Sequence, residues 1–506
     1  MPGFSLINSV SQALKPHSTN IPINMMSGKI QKTKIVATVG PSCNTYQGLK
    51  DLALAGVDCF RLNFSHGTHE DHKAVIDNIL KINEEMQFHL SILADLQGPK
   101  LRVGKIENSS FPLSKGQVLT FTNEPCIGTP EKVYMSYDLF AQDVEAGERI
   151  MVDDGKVVLK VLETNKTDTV KLEVLYGNVL SSNKGVNLPD TKVSLPALTE
   201  KDIEDLNFIL TQPVNWIALS FVRTPKDIED LELRINAVGH GAKIIAKIEK
   251  PEAIVNIDKI IKASNGIMVA RGDLGVELPI EKVPGIQKDI IRRCIKRARP
   301  VIVATQMLDS MTENPSPTRA EVTDVANAVL DGTDAVMLSG ETAAGAHPTL
   351  VVETMASIIS EVENGKYYWE AMKARRPEAS QKSRTFLSDV VCFNAAKTAE
   401  ELGAKAIVGM TTSGYTAFRV SSYRPDTNIL MMSDRKSMLC TMNLIWGVRC
   451  LYYNKFTTTD ETIQDVVTIL KEIGTVQPGD IIVNTGSMPI ERRFRTNMMK
   501  VTIVED

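Results

Sequence analysis

The chain has 506 residues, enough for about three cores at ~150 residues each. A net charge of -4, with 43% hydrophobic and 23% charged residues, gives no electrostatic case for nucleic acid or an anionic membrane, and apolar runs such as 300–304 fall far short of the ~20 residues of a membrane helix. Seven scattered cysteines (Cys43, Cys59, Cys126, Cys294, Cys392, Cys440, Cys450) form no CxxC pair, which argues against a disulfide framework or zinc site and favours a reducing cytoplasm.

Residues 1–30 hold no Asp or Glu and are rich in Ser and Asn. With Lys15 and Lys29 but no arginine, they read as a plain N-terminal extension, not a transit or secretory segment. From there a unit recurs: a short apolar run, polar or glycine residues, then an amphipathic helical segment. The runs are 34–39, 58–63, 90–96, 216–221, 243–249, 266–272, 300–306 and 335–341. Runs apolar throughout fit parallel strands buried on both faces. Helical periodicity spans 70–85, 200–212, 226–238, 285–298, 320–330 and 350–364. Eight strand-then-helix units predict a closed (β/α)8 TIM barrel, with its chemistry at the C-terminal strand ends.

Between the third run and the fourth the character changes. Residues 115–123, 149–152, 156–162 and 169–175 read as short strands, and Asp153-Asp154-Gly155 is a hairpin signal. The predicted organisation is an α/β catalytic barrel over 31–100 and 194–365, with a small all-β lid domain, a β-barrel, inserted at 101–193 above the mouth. After about residue 366, helical 389–402 and the runs 406–410, 428–432, 448–453 and 480–484 predict a C-terminal open α/β domain, 366–506.

The strand ends carry the chemical information. Arg61 and Asn63 share one face of the second strand, with Ser65 and His66 just beyond, and the third ends at Asp95 and Leu96. The fifth places Lys247 and Glu249 on one face; the sixth ends Arg271-Gly272-Asp273; the seventh reaches Thr305 and the eighth Ser339-Gly340-Glu341. Lys247 and Arg61 suit a phosphoryl group, and Glu249 with Asp273 are hard oxygen ligands suited to magnesium. Cations and a metal around a small anion equip a site for phosphoryl transfer or enolate stabilisation. No GxxxxGK[ST] or GxGxxG is present. His69 and His72, which could mimic a metal pair, read as a solvated first helical turn.

These residues carry a family likeness. From about residue 31 the chain resembles pyruvate kinase, through 34–42, 61–67, 95–102, 184–187, 244–252, 270–274, 304–307 and 337–342. The resemblance implies Mg2+-dependent phosphoryl transfer from phosphoenolpyruvate to ADP, giving pyruvate and ATP, with Mn2+ as an alternative metal, in a homotetramer. It implies Lys247, Arg61 and Thr305 as catalytic residues, with Thr305 on the face where the enolate is protonated. Gly272 and Asp273 would receive the substrate carboxylate, Glu249 and Asp273 would hold the metal, and Asn63, His66, Arg102 and Lys184 would contact the nucleotide. Many members hold K+ with the counterparts of Asn63, Ser65, Asp95 and the Leu96 carbonyl. Here Leu96-Gln97 and Lys100 depart from the K+-dependent pattern, so the resemblance implies a K+-independent enzyme in which the Lys100 ammonium replaces the ion. Two like charges a few ångströms apart would cost about 3–4 kcal/mol at an effective dielectric near ~20.

In the C-terminal domain Thr411, Thr412, Ser413, Gly414 and Thr416 resemble the phosphate loop of the family's effector site, with Arg492 and Arg493 as candidate partners for a phosphorylated effector. Two rival readings remain: a metal-dependent aldolase or lyase on a related barrel, and a silent binding protein on the same scaffold. The first would have no use for the inserted lid or Lys184. The second should have lost at least one of Lys247, Glu249, Asp273 and Thr305.

Overall fold

The computed structural model describes residues 31–381, 383–455, 458–488 and 495–506; the 1–30 extension and Arg492 and Arg493 lie outside them. Eight parallel strands close a barrel: Lys34–Thr38, Cys59–Asn63, Ser91–Asp95, Trp216–Leu219, Lys243–Ile248, Gly266–Ala270, Val301–Ala304 and Ala335–Leu338. Each lies inside its predicted run and stops where the apolar residues give way to polar ones. Val36, Cys59, Leu93, Trp216, Ile245, Met268 and Ile302 fill the interior, while alternate residues such as Ile35, Phe60 and Ile244 pack outward on the helices. Several helices start at a Thr followed three residues later by Asp or Glu: Thr68/Asp71, Thr199/Asp202, Thr224/Asp227 and Thr318/Glu321 form reciprocal capping boxes.

The inserted unit is a seven-stranded sheet with a two-stranded companion, built on its own core around Phe121, Phe140, Ile150 and Leu159. Its outermost strands, Leu101–Arg102 and Lys132–Tyr134, meet through a Val103–Met135 bridge and a Gly104 N–H to Tyr134 O bond of 2.8 Å, so the sheet curls back on itself. Asp153, Asp154 and Gly155 all have positive φ and turn Arg149–Val152 into Val157–Thr164 as a hairpin.

The C-terminal sheet runs Val448–Tyr452, Asn428–Ser433, Ala406–Met410, Ile481–Gly486 and Met498–Ile503. The last strand, antiparallel and on an edge, is absent from the sequence reading, because Met498–Ile503 is largely exposed and offers no buried run. This unit seals the barrel floor. Leu444 plugs the interior cluster, Trp216 Nε1 donates to Thr441 O at 3.2 Å, and buried Arg424 pairs with Asp334 at 3.0 Å. Lys32 donates to the carbonyls of Pro425, Asp426 and Thr427 and lies 4.8 and 5.3 Å from the Trp369 and Trp446 rings.

His69 and His72 form no metal pair, nor a freely solvated turn. His69 stacks on Phe208 and pairs with Asp205 at 2.8 Å, while His72 stacks on Phe64 and bonds His66 O at 3.0 Å. Amphipathic rings at a helix start pack on aromatic neighbours that sequence spacing does not show. Among the described residues no helix is long and apolar enough to cross a membrane.

Candidate active site

The charged strand ends meet at one mouth. Lys247, on the fifth strand, lies 3.1 Å from Glu249 Oε1 and 3.2 Å from Asp95 Oδ1, and donates to Ser220 Oγ at 2.6 Å. Arg61 Nε meets Asp95 Oδ2 at 2.7 Å and its Nη1 donates to Thr38 Oγ1 at 3.0 Å. Asp95 and Glu249 are each 1% exposed, so these charges interact with little solvent screening. Burial alone would lower the Lys247 pKa, but the carboxylates of Asp95 and Glu249 outweigh it and hold the ammonium firmly protonated. Burial likewise opposes ionisation of Asp95, and the charges of Lys247 and Arg61 reverse that, leaving its pKa below the ordinary value.

Glu249 differs. Burial and the nearby charge of Asp273 push its pKa up, against the pull of Lys247 and of the Phe221 N–H that donates to its Oε2 at 2.7 Å. Glu249 lies close enough to the Asp273 carboxylate to feel its charge, and two such hard oxygen donors fit a divalent cation whose remaining ligands come from water and substrate. Among the described residues no cluster of three or more His, Cys, Asp or Glu could hold a metal alone.

Beside these charges the mouth is built from strained backbone. Phe221, Thr305 and Gln306 all have positive φ, which costs a β-branched residue such as Thr305 about 1–3 kcal/mol. Arg271 clamps that turn, donating from Nη2 to Thr305 O at 2.7 Å and pairing through Nη1 with Asp324 at 2.7 Å. Thr305 Oγ1 accepts the Gly272 N–H at 2.8 Å and donates to Ala304 O at 2.5 Å. Gly272 and Asp273 open the short helix Arg271–Glu277 directly after the sixth strand. Glu341, on the eighth strand's exit, is 1% exposed and accepts the Ser339 N–H at 2.6 Å, a local tie.

Asn63, Ser65, Asp95 and Leu96, which the sequence reading assigns with Lys100 to a monovalent-cation site or its replacement, lie together at the ends of the second and third strands, and among the described residues no hydrogen bond or ion pair joins Lys100 to them. Asn63 Oδ1 accepts the Ser65 N–H at 3.2 Å, Asp95 O accepts the Phe64 N–H at 3.0 Å, and Leu96 O accepts from Ser220 Oγ at 2.7 Å. Lys100 is exposed, lines the cleft between lid and barrel, and makes no ion pair among the described residues. His66 stands exposed beyond the second strand. Arg102 and Lys184 sit on the lid and are engaged there, Arg102 with Asn183 O at 3.0 Å and Lys184 with Asp153 at 2.9 Å. The structure therefore joins Arg61, Asp95, Lys247 and Glu249 directly, and leaves Arg102 and Lys184 on lid partners. Sequence reading missed Thr38, Ser220 and the clamp role of Arg271. A polar residue at or just past each strand end was the available signal.

The cleft between lid and barrel is tight, about 30 Å³, whereas a cavity of about 750 Å³ lies in the C-terminal unit. The charged groups at the barrel mouth, rather than cavity size, locate the chemistry. Thr411, Thr412, Ser413 and Thr416 line the larger cavity with Lys455 and Arg495. Gly414 has a φ of 79° and starts the helix Tyr415–Ser422, its N–H donating to Thr411 Oγ1 at 2.9 Å.

Residues 30–352 match the family model described as pyruvate kinase, barrel domain, and residues 389–502 that described as pyruvate kinase, alpha/beta domain. A pyruvate kinase of Staphylococcus haemolyticus (strain JCSC1435) is 43% identical over 479 residues, covering 94% of this chain and 81% of that protein. One of Staphylococcus aureus (strain MRSA252) is 41% identical over 478 residues, with the same coverage. The solved structure of a pyruvate kinase from Cryptosporidium parvum superposes with a TM-score of 0.87 at 34% identity, over 96% of this chain and 98% of that one. Two family models that between them span most of the chain, curated relatives above 40% identity and a solved structure superposing over nearly its whole length agree, and the chain belongs to the pyruvate kinase family.

Proposed function

We propose that the chain transfers the phosphoryl group of phosphoenolpyruvate to ADP, with Mg2+ (or Mn2+) held by Glu249 and Asp273. The observation that carries this reading is the firmly protonated Lys247 ammonium, 12% exposed, between two carboxylates at the mouth. In-line transfer breaks the bond from phosphorus to the enol oxygen and forms one to the terminal ADP oxygen, leaving an enolate that gains a proton at carbon to become pyruvate. Lys247 and Arg61 neutralise the charge that moves along this path. The Gly272 and Asp273 N–H groups take the substrate carboxylate, the former exchanging its bond to Thr305. Thr305 lines the protonation face, its own hydroxyl proton directed at Ala304 O. Glu249 and Asp273 would hold the metal, which would supply Lewis-acid assistance to the transfer. Asn63, His66, Arg102 and Lys184 contact the nucleotide, and lid closure excludes water that would hydrolyse the phosphoryl group.

Lys100, which lines the lid–barrel cleft, swings in to stand in for potassium at Asn63, Ser65, Asp95 and Leu96, so turnover does not require that ion. The cavity at Thr411–Thr416 takes a phosphorylated effector, the enzyme assembles as a homotetramer, and its place is the cytoplasm, at the last step of glycolysis.

The test is pyruvate release from phosphoenolpyruvate and ADP with magnesium, in sodium and potassium buffers of equal ionic strength. Rapid, ADP-dependent and equal rates are expected. A rate that appears only with potassium would remove the role given to Lys100. Pyruvate formation that ignores ADP would overturn the phosphotransferase reading.

A further inference from the structure

We propose that Glu277 is a positioning residue which, with Lys250 and Asn187, latches the lid to the substrate helix and so sets the register of the nucleotide contacts. This inference rests on the phosphoryl transfer to ADP proposed above.

One carboxylate oxygen joins three segments. Glu277 Oε1 accepts from Lys250 Nζ at 2.6 Å and from Asn187 Nδ2 at 2.8 Å. Glu277 closes the helix Arg271–Glu277, one turn beyond Asp273, and its side chain is fully buried. Lys250 sits two residues past the strand Lys243–Ile248 that carries Lys247, is 12% exposed, and lies 5.9 Å from the Phe221 ring. Phe221 is the residue whose N–H holds Glu249. Asn187 ends the lid strand Gly185–Asn187, which begins one residue after Lys184, and Gly185 pairs in register with Arg102. Phosphoryl-binding, carboxylate-binding and nucleotide-binding segments therefore share a single acceptor.

The chemistry of the triad suits a device that fixes one arrangement. Desolvating a carboxylate and an ammonium is costly, and an apolar contact would hold two surfaces together at least as well. Glu277 Oε2 is also buried with no partner, an expense that plain packing does not incur. A hydrogen-bonded ion pair, unlike an apolar patch, is satisfied in only one relative placement of its parts. With Asn187 seated, Lys184 and Arg102 are held with the lid above the mouth. With it released, they move away with the lid while the barrel's own groups stay in place.

The prediction separates the two substrates. Glu277→Gln removes the only carboxylate that Lys250 pairs with among the described residues, and Asn187→Asp sets a second negative charge against Glu277. Each single variant is expected to raise the KM for ADP at least fivefold and leave that for phosphoenolpyruvate within twofold. The double variant Asn187→Asp/Glu277→Gln exchanges amide and carboxylate across the same contact, and should return the KM for ADP to within twofold of the parent. Amide hydrogen exchange over residues 185–187, measured without substrate, should rise in both single variants and fall back in the double. That readout does not depend on turnover, so a failure of the latch is distinguishable from a failure of the kinase reading. Equal rises in both KM values, or a double variant no better than the worse single one with exchange unchanged throughout, overturns the latch.

Discussion

At the scale of single residues, the site depends on a buried ammonium that could not stand there alone. Lys247 is held between Asp95 and Glu249, and each carboxylate is in turn fixed by a second donor, Arg61 or the Phe221 N–H. Truncating the lysine therefore does two things at once. Lys247→Met should lower kcat by at least about 10²–10³, the range seen when one preorganised charge donor is removed. It should also destabilise the fold by about 3 kcal/mol, since breaking a buried ion pair strands its partners, with Arg61 still compensating Asp95. Lys247→Arg should not rescue activity, because a planar guanidinium cannot replace a compact ammonium that reaches Ser220 and two carboxylates together. Pyruvate release and a thermal midpoint on both variants check this. Wild-type kcat in either one would remove Lys247 from the chemistry.

At the scale of elements, what the sequence made legible and what it did not divide along a physical line. The barrel strands were readable because each is an apolar run ending in polar residues, and the polar pairs Lys247/Glu249 and Arg61/Asn63 followed from the two-residue repeat of a strand. Contacts between distant segments were not readable. Ser220 touching Lys247, Thr38 under Arg61, Arg271 clamping the Thr305 turn and Asn187 reaching Glu277 all need the closed barrel to exist first. The edge strand Met498–Ile503 escaped because edges bury too little to show a pattern. The short helix Arg271–Glu277 offers a test of element against site. Gly272 carries no strained φ, and a Cβ there would lie 3.5 Å from Thr305 Oγ1 and 3.7 Å from its Cβ, in ordinary contact. Gly272→Ala should therefore fold normally, and gain up to about 1 kcal/mol of helix propensity. Yet the methyl group would stand over Thr305, where the proposed function puts the substrate carboxylate, and the KM for phosphoenolpyruvate should rise at least tenfold. A variant with a raised thermal midpoint and an unchanged KM would show that the carboxylate binds elsewhere.

At the scale of the whole molecule, the barrel floor and the C-terminal unit form one packed interface. Asn215 Nδ2 donates to Ser437 O at 3.2 Å and Asn443 Nδ2 to Asp58 O at 3.1 Å, beside the Trp216 and Arg424 contacts. His89 sits just below the third barrel strand, with the positive charge of Lys436 near it. Its Nε2 is buried without a partner, and burial, with Lys436 adding to it, pushes its pKa down to about 4. The sign follows from comparing the two states. Between about pH 6.5 and 4 the unfolded chain holds this proton and the native chain does not, so stability is complete above that window and falls as the pH drops through it. From pH 7 to pH 5 the loss from this one group amounts to about 2 kcal/mol. Carboxylates elsewhere also titrate in acid, so the informative quantity is a difference between proteins. His89→Gln cannot take up the proton and should lose less stability than the parent between pH 7 and pH 5, by about that amount, in urea midpoints read at both values. Parallel losses in the two proteins would mean that the imidazole is protonated in place, and that the interface opens enough to hydrate it.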